Sequence, residues 1–125
     1  LKDLQEEFGL SILYITHDMA VISEICDIVT VMYAGQIVES GLVEDIFSSP
    51  KHPYTKGLIN SVPGVQQDIK DFQTIEGTVP RLIDPPTGCR FHPRCDITKK
   101  VCTQKRPDLV NLERQHQVAC HNWRI

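Results

Sequence analysis

Proline is missing from the first 49 residues of this 125-residue chain; all eight prolines lie at position 50 or later. Uninterrupted helices and strands are therefore possible up to that point, and a change in character is expected near Pro50. No apolar run approaches the ~20 residues of a membrane-spanning helix. The opening Leu1-Lys2-Asp3-Leu4-Gln5-Glu6-Glu7 has neither the basic start nor the apolar stretch of a secretory signal, and it has no initiator Met. It reads as a cytosolic fragment cut from something longer. There is no glycine-rich phosphate loop of the G-x-x-x-x-G-K type, and no Ser-His-Asp or Cys-His set assembles by spacing. These residues alone are not expected to hold a nucleotide tightly. Aromatic residues make up only 6% and are not interleaved with basic ones, and the pI is about 5.9, which argues against a nucleic-acid partner.

What is present divides unevenly. Residues 1–60 carry 3 basic and 9 acidic side chains, whereas residues 61–125 carry 10 and 7. Leu1, Leu4 and Phe8 recur at helical spacing, with Gly9 where a helix would stop. Ser11-Ile12-Leu13-Tyr14-Ile15 is a nearly continuous apolar run that suits a strand of a parallel sheet covered on both faces. Thr16-His17-Asp18 interrupts it. Asp18 can cap a helix through about Cys26, with Val21, Ile22 and Ile25 on one face. That order places His17 at the carboxyl end of a parallel strand, where α/β proteins put groups that touch ligands, although such a histidine is often only a turn residue.

Residues 28–33 are β-branched and apolar, Ala34-Gly35 offers a two-residue turn, and Gln36-Ile37-Val38-Glu39 returns, which predicts a β-hairpin ended by Gly41. Residues 42–47 can form a short helix. Pro53 suits the first turn of another, running to about Ser61 and stopped by Pro63-Gly64. A lone strand over 74–79 is conceivable. The stretch from Pro80 to Trp123 holds five prolines, four cysteines and few apolar residues, so something other than burial is expected to hold it.

Cys89, Cys95, Cys102 and Cys120 give the spacing C-x5-C-x6-C-x17-C. Disulfides belong to oxidising compartments and fit poorly with the absence of an export signal. Structural zinc usually draws on tight C-x2-4-C knuckles, and neither short spacing here is that tight; His92 and His121 are possible substitutes in such a site. An iron–sulfur cluster accepts thiolates from well-separated points on loops and suits a Pro/Gly-rich segment that needs a staple. The cluster is the favoured reading, with zinc as the alternative. Nine basic side chains against four acidic ones in residues 81–125 are expected to lower the thiol pKa values. Cys26, on an apolar helical face, reads as a core residue.

The run from Ser11 to Val21, containing Ile15-Thr16-His17-Asp18, and the run Val31-Met32-Tyr33-Ala34-Gly35-Gln36-Ile37-Val38-Glu39-Ser40-Gly41 resemble the end of an ABC-transporter ATPase domain. Ser49-Pro50-Lys51-His52-Pro53-Tyr54-Thr55-Lys56-Gly57-Leu58 is similar to the stretch that follows that domain in oligopeptide and dipeptide importers. Gly88-Cys89-Arg90-Phe91-His92-Pro93-Arg94-Cys95, Cys102, Arg106-Pro107 and Val118-Ala119-Cys120-His121 resemble the cysteine-bearing extension of the same subunits.

The resemblance implies an α/β fold in three parts. Residues 1–48 would be the remnant of an ABC ATPase domain (strand, helix, β-hairpin), 49–80 a connecting segment, and 81–125 a Pro/Cys-rich, irregular metal-binding extension. It implies that His17 is the switch histidine at the ATP γ-phosphate, in an intact subunit that uses ATP and Mg. It also implies that Cys89, Cys95, Cys102 and Cys120 ligate a 4Fe-4S cluster. The partners implied are a second ATPase subunit and membrane permeases, at the cytoplasmic face of the membrane. The Walker A loop, glutamine loop, signature sequence and Walker B residues of the family are not among these 125 residues, so the chain by itself is expected to be inactive. An unpaired apolar strand at 11–15 is expected to drive self-association.

Overall fold

The computed structural model describes residues 1–62, 75 and 77–124. Helix α1 (Lys2–Phe8) ends at Gly9, whose left-handed backbone closes the last turn through a bond from its N–H to the Gln5 carbonyl. Helix α2 (Met19–Ile25) starts where Asp18 accepts hydrogen bonds from the N–H groups of Ala20 and Val21 at 3.0 and 3.3 Å. Met19 and Ile22 form its buried face. Strands β1 (Ile28–Tyr33) and β2 (Gln36–Leu42) form the expected hairpin. Its turn places both Ala34 and Gly35 at positive φ, which matches the right-handed twist of the flanking strands. β2 runs through Leu42, past the expected end at Gly41, and α3 (Val43–Ser48) follows directly. Pro53 opens α4 (Pro53–Asn60).

One irregularity in the hairpin sets what faces the interior. The pairing Val31 with Glu39 is followed by Met32 with Ile37, so Val38 is an extra residue on β2. A bulge interrupts the alternation of faces, and Val38 and Glu39 are both buried although they are adjacent. The core against this inner face consists of Met19, Ile22, Val29, Val31, Tyr33, Val38, Ile46, Ile59 and Phe91.

Phe91 belongs to the segment that is poor in apolar residues, yet it packs edge-on to Tyr33, with ring centres 5.1 Å apart. The same segment supplies α5 (Lys100–Gln104), β3 (Val110–Asn111) and β4 (Gln117–Val118). β4 pairs antiparallel with β2, Glu39 facing Val118 and Ser40 facing Gln117, and the sheet order is β1-β2-β4-β3. Helices and an antiparallel sheet therefore share one core among the described residues.

The strand expected at 11–15 does not form. No described strand lies beside it to pair its backbone, and Leu13 and Ile15 are 88% and 89% exposed. Of the strand considered over 74–79, residues 77–79 take no strand pairing, and residues 74 and 76 lie outside the described residues. The stop at Pro63-Gly64 also lies outside them. Among the described residues no helix is long and apolar enough to cross a membrane.

Candidate functional site

The four late cysteines arrive on four separate pieces of backbone. Cys89 follows Gly88, whose φ of +71° suits glycine and whose missing Cβ leaves room for the Cys102 carbonyl oxygen. Cys89 N–H donates to that same carbonyl at 2.8 Å, which lays the first cysteine loop on α5. Cys95 ends the 3-10 turn at His92–Arg94, Cys102 is buried inside α5, and Cys120 comes two residues after β4.

Hydrogen-bond donors already converge on the sulfurs. Cys89 accepts from the backbone of Phe91 and His92. Cys95 accepts from the backbone of Ile97 and the Thr98 side chain. Cys102 Sγ accepts from Lys99 N at 3.5 Å and Asn122 Nδ2 at 3.6 Å, and Cys120 Sγ accepts from Asn122 N at 3.3 Å. In three of the four the donor sits two residues beyond the cysteine, so each loop curls around its own sulfur.

Burial pushes the Cys89 and Cys95 thiols up and lifts Cys120 to about 11. Each of these three is also raised by at least one other thiol of the set; for Cys120 the neighbours are Cys95, Cys89 and Cys102. This reverses the expectation that basic side chains lower these pKa values. Three of the arginines are engaged elsewhere. Arg90 donates to the Ala34 carbonyl at the hairpin turn, Arg94 to Tyr33 Oη at 3.3 Å and the Ile75 carbonyl at 3.0 Å, and Arg114 pairs with Asp45 at 3.3 Å. They tie loops to the hairpin and α3.

All five cysteines are free thiols. Among the described residues no group of three or more His, Cys, Asp or Glu is drawn together tightly enough to hold a metal ion. The Cys89, Cys95 and Cys120 thiols are nonetheless near enough to others of the set to disfavour one another's ionisation.

His17 is exposed in the turn between Thr16 and Asp18, where Asp18 N–H donates to Thr16 Oγ1 at 3.0 Å. Among the described residues no hydrogen bond or ion pair holds its side chain. It therefore stands apart from the bonding that organises the cysteines.

Sequence reasoning missed a second constellation. Glu39, fully buried, accepts from Lys51 N (2.7 Å) and His116 Nε2 (2.7 Å) at Oε1, and from His52 N (2.9 Å) at Oε2. One carboxylate thus joins β2, the entry to α4 and the residues leading into β4. His52 Nδ1 in turn accepts from Tyr54 N at 3.1 Å and caps α4. Burial lowers His52 to a pKa of about 4, so the ring is neutral, as an accepting Nδ1 requires. No local pattern announces this group, because the bulge that turns Glu39 inward and the return of His116 are both nonlocal.

A model of the C-terminal region of oligopeptide/dipeptide transporters matches residues 38–102, more than half of the chain. The chain belongs to this family. The dipeptide transport ATP-binding protein DppD of Caldanaerobacter subterraneus subsp. tengcongensis is 42% identical over 97% of this chain and 37% of its own length. The oligopeptide transport ATP-binding proteins AppD of Bacillus subtilis and OppF of Salmonella typhimurium are 44% and 45% identical, each over 96% of this chain. The chain spans little more than a third of the length of these relatives. The oligopeptide/dipeptide transporter match begins at Val38, takes in the Glu39 carboxylate and His52, and ends at Cys102.

Proposed function

We propose that this chain is the C-terminal part of the ATP-hydrolysing subunit of an oligopeptide or dipeptide ABC importer, and that its four late cysteines ligate a 4Fe-4S cluster. The observation that carries the reading is the match to the transporters' C-terminal region over a segment holding three of four converging thiols, each already met by hydrogen-bond donors. Residues 1–48 are then the end of the ATPase domain, 49–80 a connector and 81–125 the extension. The partners are a second ATPase subunit and the membrane permeases, with the assembly on the cytoplasmic face. ATP and Mg act only where the family's upstream motifs are joined to this chain.

On this reading His17 is the switch histidine. An exposed imidazole just ahead of a capped helix is free to reach the γ-phosphate and orient the attacking water, and positioning of this kind is most of what phosphoryl-transfer catalysis requires. A bound cluster would cross-link four pieces of backbone, three of them loops and one helix α5, and this chain's part is to present the sulfurs and supply their hydrogen bonds.

The test is anaerobic purification followed by a visible spectrum and iron, sulfide and zinc analysis. About four irons and four sulfides per chain with broad absorbance near ~400 nm supports the cluster. Zinc near one per chain without colour makes the extension a zinc module and overturns the iron–sulfur assignment. For His17, replacement by Ala in a subunit carrying the upstream motifs should lower ATP hydrolysis by roughly 10²-fold or more while ATP binding persists. Undiminished hydrolysis removes His17 from the mechanism.

A further inference from the structure

Asn122 is 7% exposed and lies two residues beyond Cys120. Three cysteine-bearing pieces of backbone are bound from this one position. Its backbone N–H donates to Cys120 Sγ at 3.3 Å, and its side-chain Nδ2 donates to the Ile97 carbonyl at 2.9 Å and to Cys102 Sγ at 3.6 Å. Ile97 is in the loop that starts at Cys95, and its own N–H donates to the Cys95 sulfur. A carboxamide nitrogen carries two hydrogens, so both side-chain bonds form together without competition. A buried amide aimed at a sulfur is a costly arrangement if the sulfur stays a neutral thiol, a weak acceptor. It becomes a strong one when the sulfur carries negative charge, because hydrogen bonds to charged acceptors are about twice as strong as neutral ones.

We infer that Asn122 is the positioning residue of the four-cysteine site. It fixes Cys95, Cys102 and Cys120 relative to one another, and its amide N–H at Cys102 Sγ favours the more negatively charged, reduced state of the centre those sulfurs hold. The inference rests on the iron–sulfur reading above. Hydrogen bonds to ligating sulfurs are among the influences that set the potential of such centres, so a reduction potential reports on the amide where stability alone does not.

The experiment is a spectroscopic redox titration of the anaerobically purified full chain, wild type against Asn122→Leu, which is similar in size and has no donor, with iron and sulfide counted in each. The expected result is a loaded centre in Asn122→Leu whose reduction equilibrium is shifted about tenfold toward the oxidised state, a potential about 59 mV more negative for a one-electron couple. Asn122→Gln, which keeps a carboxamide, should recover part of that shift. A fully loaded Asn122→Leu at the wild-type potential overturns the assignment. If Asn122→Leu does not load, Asn122→Gln decides. Loading within about threefold of the wild-type reduction equilibrium upholds the role of the amide, equivalent to about 30 mV for one electron, and failure to load overturns it. Wild-type protein that takes up no iron and sulfide overturns the cluster reading itself, a result distinct from a loaded wild type with an indifferent variant.

Discussion

The two ends of this chain reverse the usual relation between composition and burial. Residues 1–15 are rich in Leu, Ile, Phe and Tyr, yet Leu1, Leu4, Phe8, Leu10, Ile12, Leu13, Tyr14 and Ile15 are all exposed. Residues 81–124 have few apolar side chains, yet they place Phe91, Cys102, Val118 and Ala119 in the interior. The later segment has partners to meet. β4 finds the open edge of β2, Phe91 finds the Tyr33 and Tyr54 rings, and the Arg90 and Arg94 guanidiniums find oxygen acceptors on the hairpin. The first segment has apolar side chains but no described strand to bond its backbone. Burial follows from having a complementary surface within reach, and apolar content supplies only the driving force.

The largest break in this comparison should come from Glu39→Ala. Two buried donors, His52 N and His116 Nε2, and the part-buried Lys51 N lose their acceptor at once, and the expected cost is about 3–5 kcal/mol. Urea unfolding should show a matching fall in midpoint, and hydrogen exchange should quicken at residues 110–118 as well as on β2. A fall below about 1 kcal/mol would mean that the carboxylate does not hold the C-terminal segment to the hairpin.

Phe91→Ala should cost about 3 kcal/mol, at the lower end of the range for buried aromatic truncations because Tyr33 and Tyr54 can partly close the gap. Calorimetry on Phe91→Ala and on Phe91→Leu checks it, the latter losing less. Equal losses would place the energy in backbone pairing and take it away from the aromatic cluster.

The third effect is on pH dependence. His52 titrates near 4 in the folded chain and near 6.5 when unfolded, so between those values the unfolded state binds more protons and stability rises with pH. Acidifying from pH 7 to 5 should therefore remove about 2 kcal/mol through this group. His52→Asn keeps a capping acceptor for α4 and should flatten that part of the profile; an unchanged slope would assign the dependence to other groups.

The smallest stability effect is expected at the opposite end. Leu13→Ser with Ile15→Ser should change unfolding free energy by less than about 0.5 kcal/mol, because neither side chain is buried. The same pair should sharply reduce self-association of the chain in light scattering, because it breaks up the exposed apolar arm. A monomeric parent chain at high concentration would show that this arm is not self-adhesive.

Much of the local structure was legible from short-range signals. Asp18 caps α2, Ala34 and Gly35 turn the hairpin, Pro53 opens α4 and Gly9 closes α1, each through chemistry confined to a few neighbouring residues. The spacing of the cysteines and the position of His17 before a helix were visible in the same way. The strand expected at 11–15 failed because a strand is half of a pair, and an apolar run specifies only one half.

The sequence alone determined the capped helices, the hairpin and the spacing of the four late cysteines, because these depend on backbone preferences and residue identity along the chain. Only the tertiary structure decided that a bulge at Val38 turns Glu39 inward, that β4 returns to β2, that Arg90 and Arg94 bind hairpin oxygens, and that Asn122 reaches Cys102. Each of these joins positions far apart in the chain, and their energies depend on which groups are brought out of water together, a quantity no local pattern contains.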